Sequence, residues 1–100
     1  MVVGILEVRL YMEGMESLKE KRKVIKSLLG RVKSRFNVAV AELEEQDEHT
    51  RATLGFSVCG ADAKVLSGVL DHLLNYIYET VDAEVVDSHQ ECLNLGSLGR

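Results

Sequence analysis

An α+β fold, a four-stranded antiparallel sheet with two helices on one face, is what this 100-residue sequence predicts. Three observations predict it. Segments 2–12 and 50–59 alternate with the two-residue period of a strand. Two further segments place apolar residues at helical spacing behind a capping residue, Ser17 in one and Asp62 in the other. The elements then follow in the order strand, helix, strand, strand, helix, strand, joined by short polar connections.

In the first strand Val2, Gly4, Leu6, Val8, Leu10 and Met12 share one face, and Val3, Ile5, Glu7, Arg9 and Tyr11 share the other. "EGMES" is a short loop. "SLKE" then forms a capping box: Ser17 accepts from the amide of Glu20, and Glu20 reaches back to the amide of Ser17. Leu18, Ile25, Leu28, Leu29, Val32 and Phe36 make the apolar stripe of the first helix. Gly30 lies off that stripe and weakens the helix by about 1 kcal/mol relative to alanine. The second strand, 37–45, has two open registers: either Val38 and Val40 or Ala39, Ala41 and Leu43 face inward. "QDEHT" is a hairpin connection. In the third strand Ala52, Leu54, Phe56 and Val58 oppose Arg51, Thr53, Gly55, Ser57 and Cys59. Val65, Leu66, Val69, Leu70, Leu73 and Ile77 form the expected buried side of the second helix. A fourth strand begins at Ala83, strongest at Val85 and Val86.

This succession is the ferredoxin-like arrangement. Right-handed crossovers leave one sensible topology, with strands one and three central. The reading is a single domain over 1–92 and a tail over 93–100. An apolar content of 46% supports one modest core. No apolar run approaches the roughly 20 residues of a membrane span. The N-terminus lacks a basic region followed by an apolar one. The expected compartment is therefore the cytosol, with no membrane contact. Cys59 and Cys92 are read as thiols, not as a disulfide framework.

Charge is divided unevenly. Residues 1–36 carry nine cations and four acids, net +5, whereas residues 37–100 carry three cations and twelve acids, net −9. The stretch "SLKEKRKVIKSLLGRVKSRF" holds eight of the twelve basic residues. On a helical wheel Lys19, Arg22, Lys23, Lys26 and Lys33 fall within one sector of roughly 100°, beside the apolar stripe. Such a row suits a phosphate backbone, met largely without sequence preference. It also suits the solvated side of a core helix, where Lys and Arg are good helix formers. Lys21 is different, because it falls inside the apolar sector. Either its stem is buried and its ammonium reaches the edge, or it meets a carboxylate. Glu42 and Asp47 are the candidates, and Arg51 completes a candidate polar cluster with them.

Other chemistries find little support. Single-stranded RNA stacked on a sheet face needs aromatics on the central strands, and only Tyr11 is available. Val3, Ile5 and Cys59 make a small apolar patch there, to be covered by the tail or by a second subunit. The acidic turn Glu44, Glu45, Asp47, Glu48 and His49 matches no metal-site spacing, even with His72, His89, Cys59 and Cys92 added, so no metal is expected. No nucleophile has a local base, and no phosphate or dinucleotide loop is present. The expectation is no catalytic residue, no cofactor and no small-molecule substrate. Acylphosphatases share the topology, but "EGMES" lacks their glycine-rich, arginine-ended phosphate loop.

"SLKEKRKVIKSLL", "RFNVAVAE" and "QD…RATLGFSV" together resemble the YlxP-like family, small bacterial proteins of unknown function. The likeness covers about residues 1–90, in the family's order and spacing. It implies a ferredoxin-like fold. Family members are often encoded beside ribosome-maturation and translation-initiation genes, which implies a role near the ribosome or RNA. The matching polar positions are Lys19, Lys21, Arg22, Asn37, Glu42, Gln46, Asp47 and Arg51. "CLNLGSLGR" departs from the aromatic-rich ending of the family. The leading expectation is a non-enzymatic cytosolic binding module that contacts RNA or the ribosome through its first helix. The alternative is a homo-oligomeric, for instance dimeric, protein-interaction module without nucleic-acid binding. An enzyme built on Glu42, Asp47 and Arg51 is the weakest reading.

Overall fold

The computed structural model describes residues 1–44 and 46–96. Its elements are β1 (Val2–Tyr11), α1 (Leu18–Arg35), β2 (Ala39–Glu44), β3 (Arg51–Gly60), α2 (Ala63–Thr80) and β4 (Glu84–Asn94). The sheet runs β2-β3-β1-β4, every neighbour antiparallel. This is the ferredoxin-like fold, with β1 and β3 in the centre. Both helices pack on the face that carries Leu6, Val8, Leu10, Ala52, Leu54 and Phe56, and Ile25, Leu28, Val32, Leu70, Leu73 and Ile77 meet them in one core. The other face of the sheet is left open.

Local sequence explains most of the packing. The inward face of β1 is wholly buried. Gly4 belongs to it because α2 comes close: a Cβ there would lie 3.1 Å from Leu70 Cδ1. In β2 the register resolves with Val38 and Val40 packed against the core. A bulge follows, in which Glu42 pairs with Leu54 and Glu44 with Thr53, leaving Leu43 as the extra residue. Leu43 lies across Gly55 on the open face, where a Cβ on that glycine would meet Leu43 Cδ1 at 2.8 Å.

Several expectations are corrected. Ser17 Oγ accepts from Glu20 N at 3.2 Å, but the return arm goes to Glu16: Glu16 N donates to Glu20 Oε2 at 3.0 Å. Val65 is exposed, at 62%; it sits roughly 100° around the helix from Leu66, off the buried row. Strand β4 extends to Asn94, past the boundary at residue 92. Its pairing line continues as Leu95 N donates to Met1 O at 2.9 Å and the Met1 amino group to Gly96 O at 3.0 Å. The last part of the expected tail, 97–100, lies outside the described residues. So does Glu45 of the acidic turn.

The most consequential buried polar group is Lys21, only 1% exposed. Its ammonium donates to Glu48 O at 2.6 Å and lies 3.2 Å from Glu42 Oε2. The second contact is an ion pair, and it is the charge partner of that buried carboxylate oxygen. The helix is thereby tied both to an edge strand and to the β2–β3 turn. The turn has further anchors. Met12 N donates to Thr50 O at 2.7 Å, and Glu48 Oε1 accepts from Thr50 N at 3.1 Å and Thr50 Oγ1 at 2.8 Å.

Lys21→Met keeps the aliphatic stem and removes the ammonium. It leaves Glu48 O short of a donor and Glu42 short of its charge partner, a loss of about 2 kcal/mol in urea unfolding. A stability equal to that of the parent would contradict this role. Glu48 gives a pH dependence. Its hydrogen bonds from the Thr50 hydroxyl and amide hold its pKa below the ordinary 4.5. A depressed folded pKa means stability that is present above the unfolded value and lost as pH falls through the folded one. Glu48→Gln therefore flattens the acid limb of the stability profile below about pH 4.5, measured by denaturation at a series of pH values.

Candidate nucleic-acid interface

Helix α1 is rotated so that Lys21, Ile25, Leu28 and Val32 face the sheet. That rotation turns a sector of roughly 100° outward, holding Lys19, Arg22, Lys23, Lys26, Gly30 and Lys33 and no other residue of the helix. All six are exposed. The sector thus contains five cations, one glycine and no carboxylate. Among the described residues none of the five cations makes an ion pair; the pairs found are Lys21 with Glu42 and His89 with Glu91. Lys19, Lys26 and Lys33 recur every seven residues, a straight row about 20 Å long.

The row is not simply a helix obeying its own electrostatics. Lys33 in the last turn complements the helix dipole, as does Arg35. Lys19 lies in the first turn, where a cation opposes that dipole, and Arg22 and Lys23 follow just beyond it. Arg31 and Arg35 fall on the other flank, toward α2. Arg35 sits 5.0 Å over the Tyr76 ring, itself 5.7 Å from Phe36. Arg35 thus joins the helices, and neither arginine is part of the row.

The candidate polar cluster assembles only in part. Of the two carboxylates considered for Lys21, Glu42 is the one that meets it, at 3.2 Å. Asp47 is exposed and makes no ion pair among the described residues. Arg51 projects onto the open face opposite Tyr11, whereas Glu42 points inward beside Leu54, so the sheet separates them. The partner that sequence reasoning missed is the backbone carbonyl of Glu48, which carries no sequence signal because every residue has one. Among the described residues no three metal-ligating side chains gather, and no helix is long and apolar enough to cross a membrane. Cys59 and Cys92 are unpaired thiols, on opposite faces of the sheet beside Val3 and Gly4.

Gly30 provides a test of the exposed surface. A Cβ there meets nothing within 4 Å. Gly30→Ala should therefore stabilise the protein by about 1 kcal/mol through helix propensity alone, read as a raised urea midpoint. An unchanged or lowered midpoint would mean that the position is not open to solvent.

Comparison with known proteins adds the family. Residues 3–90 match the family described as protein of unknown function DUF503. The chain is 32% identical over 76 residues to the uncharacterized protein YlxP of Bacillus subtilis (strain 168), covering 76% of this chain and 83% of that one. Among solved structures it is similar to the de novo designed protein Ferredog-Diesel, with TM-score 0.43, 10% identity, and 89% and 83% of the two chains covered. It is also similar to SnoaB, a cofactor-independent oxygenase from Streptomyces nogalater, with TM-score 0.49, 12% identity, and 99% and 98% covered. Sequence segments, topology and family match converge: the chain belongs to the DUF503 family of proteins of unknown function, to which it is joined by its likeness to YlxP.

Proposed function

We propose that this protein is a non-enzymatic, cytosolic binding module that contacts the phosphate backbone of structured RNA, free or on a ribosomal surface, through the outer face of α1. The observation that carries the reading is the composition of that face: five exposed cations and a glycine, with no carboxylate among them. Ammonium and guanidinium groups in a row supply charge and hydrogen-bond donors to phosphate oxygens. They supply no nucleophile and no base at neutral pH, which favours binding over catalysis. The row has no aromatic side chain on which an unpaired base could stack, so it favours helical RNA over single strands. The acidic remainder of the chain repels polyanions and restricts the contact to this one face.

The test is RNA retention by full-length protein as salt is varied. Each phosphate contact contributes roughly one unit to the slope of log affinity against log salt. The double variant Lys23→Glu and Lys26→Glu should weaken binding more than tenfold at moderate salt and reduce that slope by about two. Binding by the double variant with the parent's affinity and slope would reject the reading.

A further inference from the structure

We infer that the open face of the sheet is the contact between two copies of this chain, packed face to face with the helices outward. The proposal is independent of the cation row, which lies on the opposite side of the molecule. Three observations lead to it.

The first is an apolar centre built onto that face. Ile5, Ala41, Leu43 and Gly55 line an open cleft of about 320 Å³, with His89 and Glu7 at one side. The β2 bulge turns Leu43 onto this face, yet leaves it 45% exposed. Leu93, from the end of β4, is 47% exposed and lies opposite Val3 on β1, which extends the apolar area toward the first residues of the chain. A side chain that a bulge aims onto a sheet face and that nothing in the protomer covers is suited to an intermolecular contact.

The second is charge. The far end of the same face carries Arg9 between Thr53 and Asp87, with Glu44 beyond Thr53, and Arg51 beside Tyr11. Neither arginine makes an ion pair among the described residues, although carboxylates of the same face stand in adjacent positions. A two-fold contact presents the same patch from both sides, so it must complement itself. A face holding both signs unpaired around an apolar centre meets that condition, whereas a polyanion would be repelled by its carboxylates and a purely basic partner by its arginines.

The third is area. Four strands spaced ~4.8 Å apart, with central strands of ten residues, present a face of roughly 600 Å² before side-chain relief is counted. That approaches the ~800 Å² per partner of a standard stable interface. No larger second surface is needed for a dimer.

Sedimentation equilibrium of the full chain tests this. The expected result is a dimer. Ala41→Glu, on the exposed edge strand, should raise the dimer dissociation constant by about tenfold or more, because it buries an unpaired carboxylate at the contact. Val65→Glu, on the outer side of α2, should leave the constant unchanged. Circular dichroism and a cooperative urea transition on each variant establish that the monomer still folds. A parent protein that sediments as a monomer at every concentration overturns the proposal and leaves the cleft to a small apolar molecule or to solvent. A dimer that survives Ala41→Glu with a parental constant, or that Val65→Glu disrupts instead, overturns it as well by placing the contact elsewhere.

Discussion

Lys21 Nζ, held 2.6 Å from Glu48 O and 3.2 Å from Glu42 Oε2, fixes how the first turns of α1 sit on the sheet. Apolar contacts alone are non-directional and tolerate some rotation of a helix about its axis. An ammonium buried to 1% does not, because any rotation that withdraws it leaves a carbonyl and a carboxylate without their partner. The same contact ties the helix to the β2–β3 turn, which is also held by Met12, by the Gln46 side chain on Glu42 O, and by its own Glu48 and Thr50. One residue therefore sets the azimuth of α1 and the seat of the hairpin together. Everything that α1 shows to solvent follows from that azimuth.

The arrangement separates two surfaces that could otherwise interfere. The helical layer carries the concentrated positive charge, and the open sheet face carries a mixed-sign, partly apolar surface. At physiological salt the screening length is about 8 Å, shorter than the diameter of a helix with its side chains, about 10–12 Å. The cations on α1 are therefore felt weakly on the open face. A face-to-face pair of protomers would leave both α1 rows exposed on opposite sides of the assembly, so self-association and polyanion binding are geometrically compatible readings.

What could be read from the sequence depended on whether two signals coincided. In β1 alternation and burial agree, since Val2, Leu6, Val8, Leu10 and Met12 are apolar and the opposite face contains Glu7 and Arg9. In β2 they do not, because Val38, Val40, Ala39, Ala41 and Leu43 are apolar on both faces, so alternation alone allows two registers. The bulge at Leu43 was invisible for the same reason, and it changes parity. Counting by twos from Glu42 puts Glu44 inward, but the structure pairs Glu44 with Thr53 on the open face. The two open registers of β2 are also why sequence spacing gives no warning that Glu42 and Arg51 point to opposite sides. Lys21 was legible as an anomaly, a cation at an apolar position. Its carboxylate partner was among those named, whereas its backbone partner had no signal to find.

Helix α2 provides an internal control for the meaning of the cation row. It has the same length as α1, 18 residues, and lies in the same layer over the same sheet. Its exposed positions are Ala63, Lys64, Val65, Asp71, His72, Asn75, Tyr78 and Glu79, which mix both signs with neutral and apolar side chains. Solvation of a sheet-covering helix in this protein is thus achieved without gathering like charges. On α1 the like charges are gathered, and Lys19 is placed where the helix dipole disfavours it, each such placement costing about 0.3–1 kcal/mol at low salt. Mutual repulsion among neighbours at i, i+3 and i, i+4, such as Lys19 with Arg22 and Lys23, adds a few tenths more. A face that needed only water would relieve those costs with an interspersed glutamate, but the one glutamate of α1, Glu20, lies outside the sector and accepts from Glu16 N. Their persistence across the whole sector is understandable if the face spends part of its time against a polyanion, where the same repulsion becomes attraction.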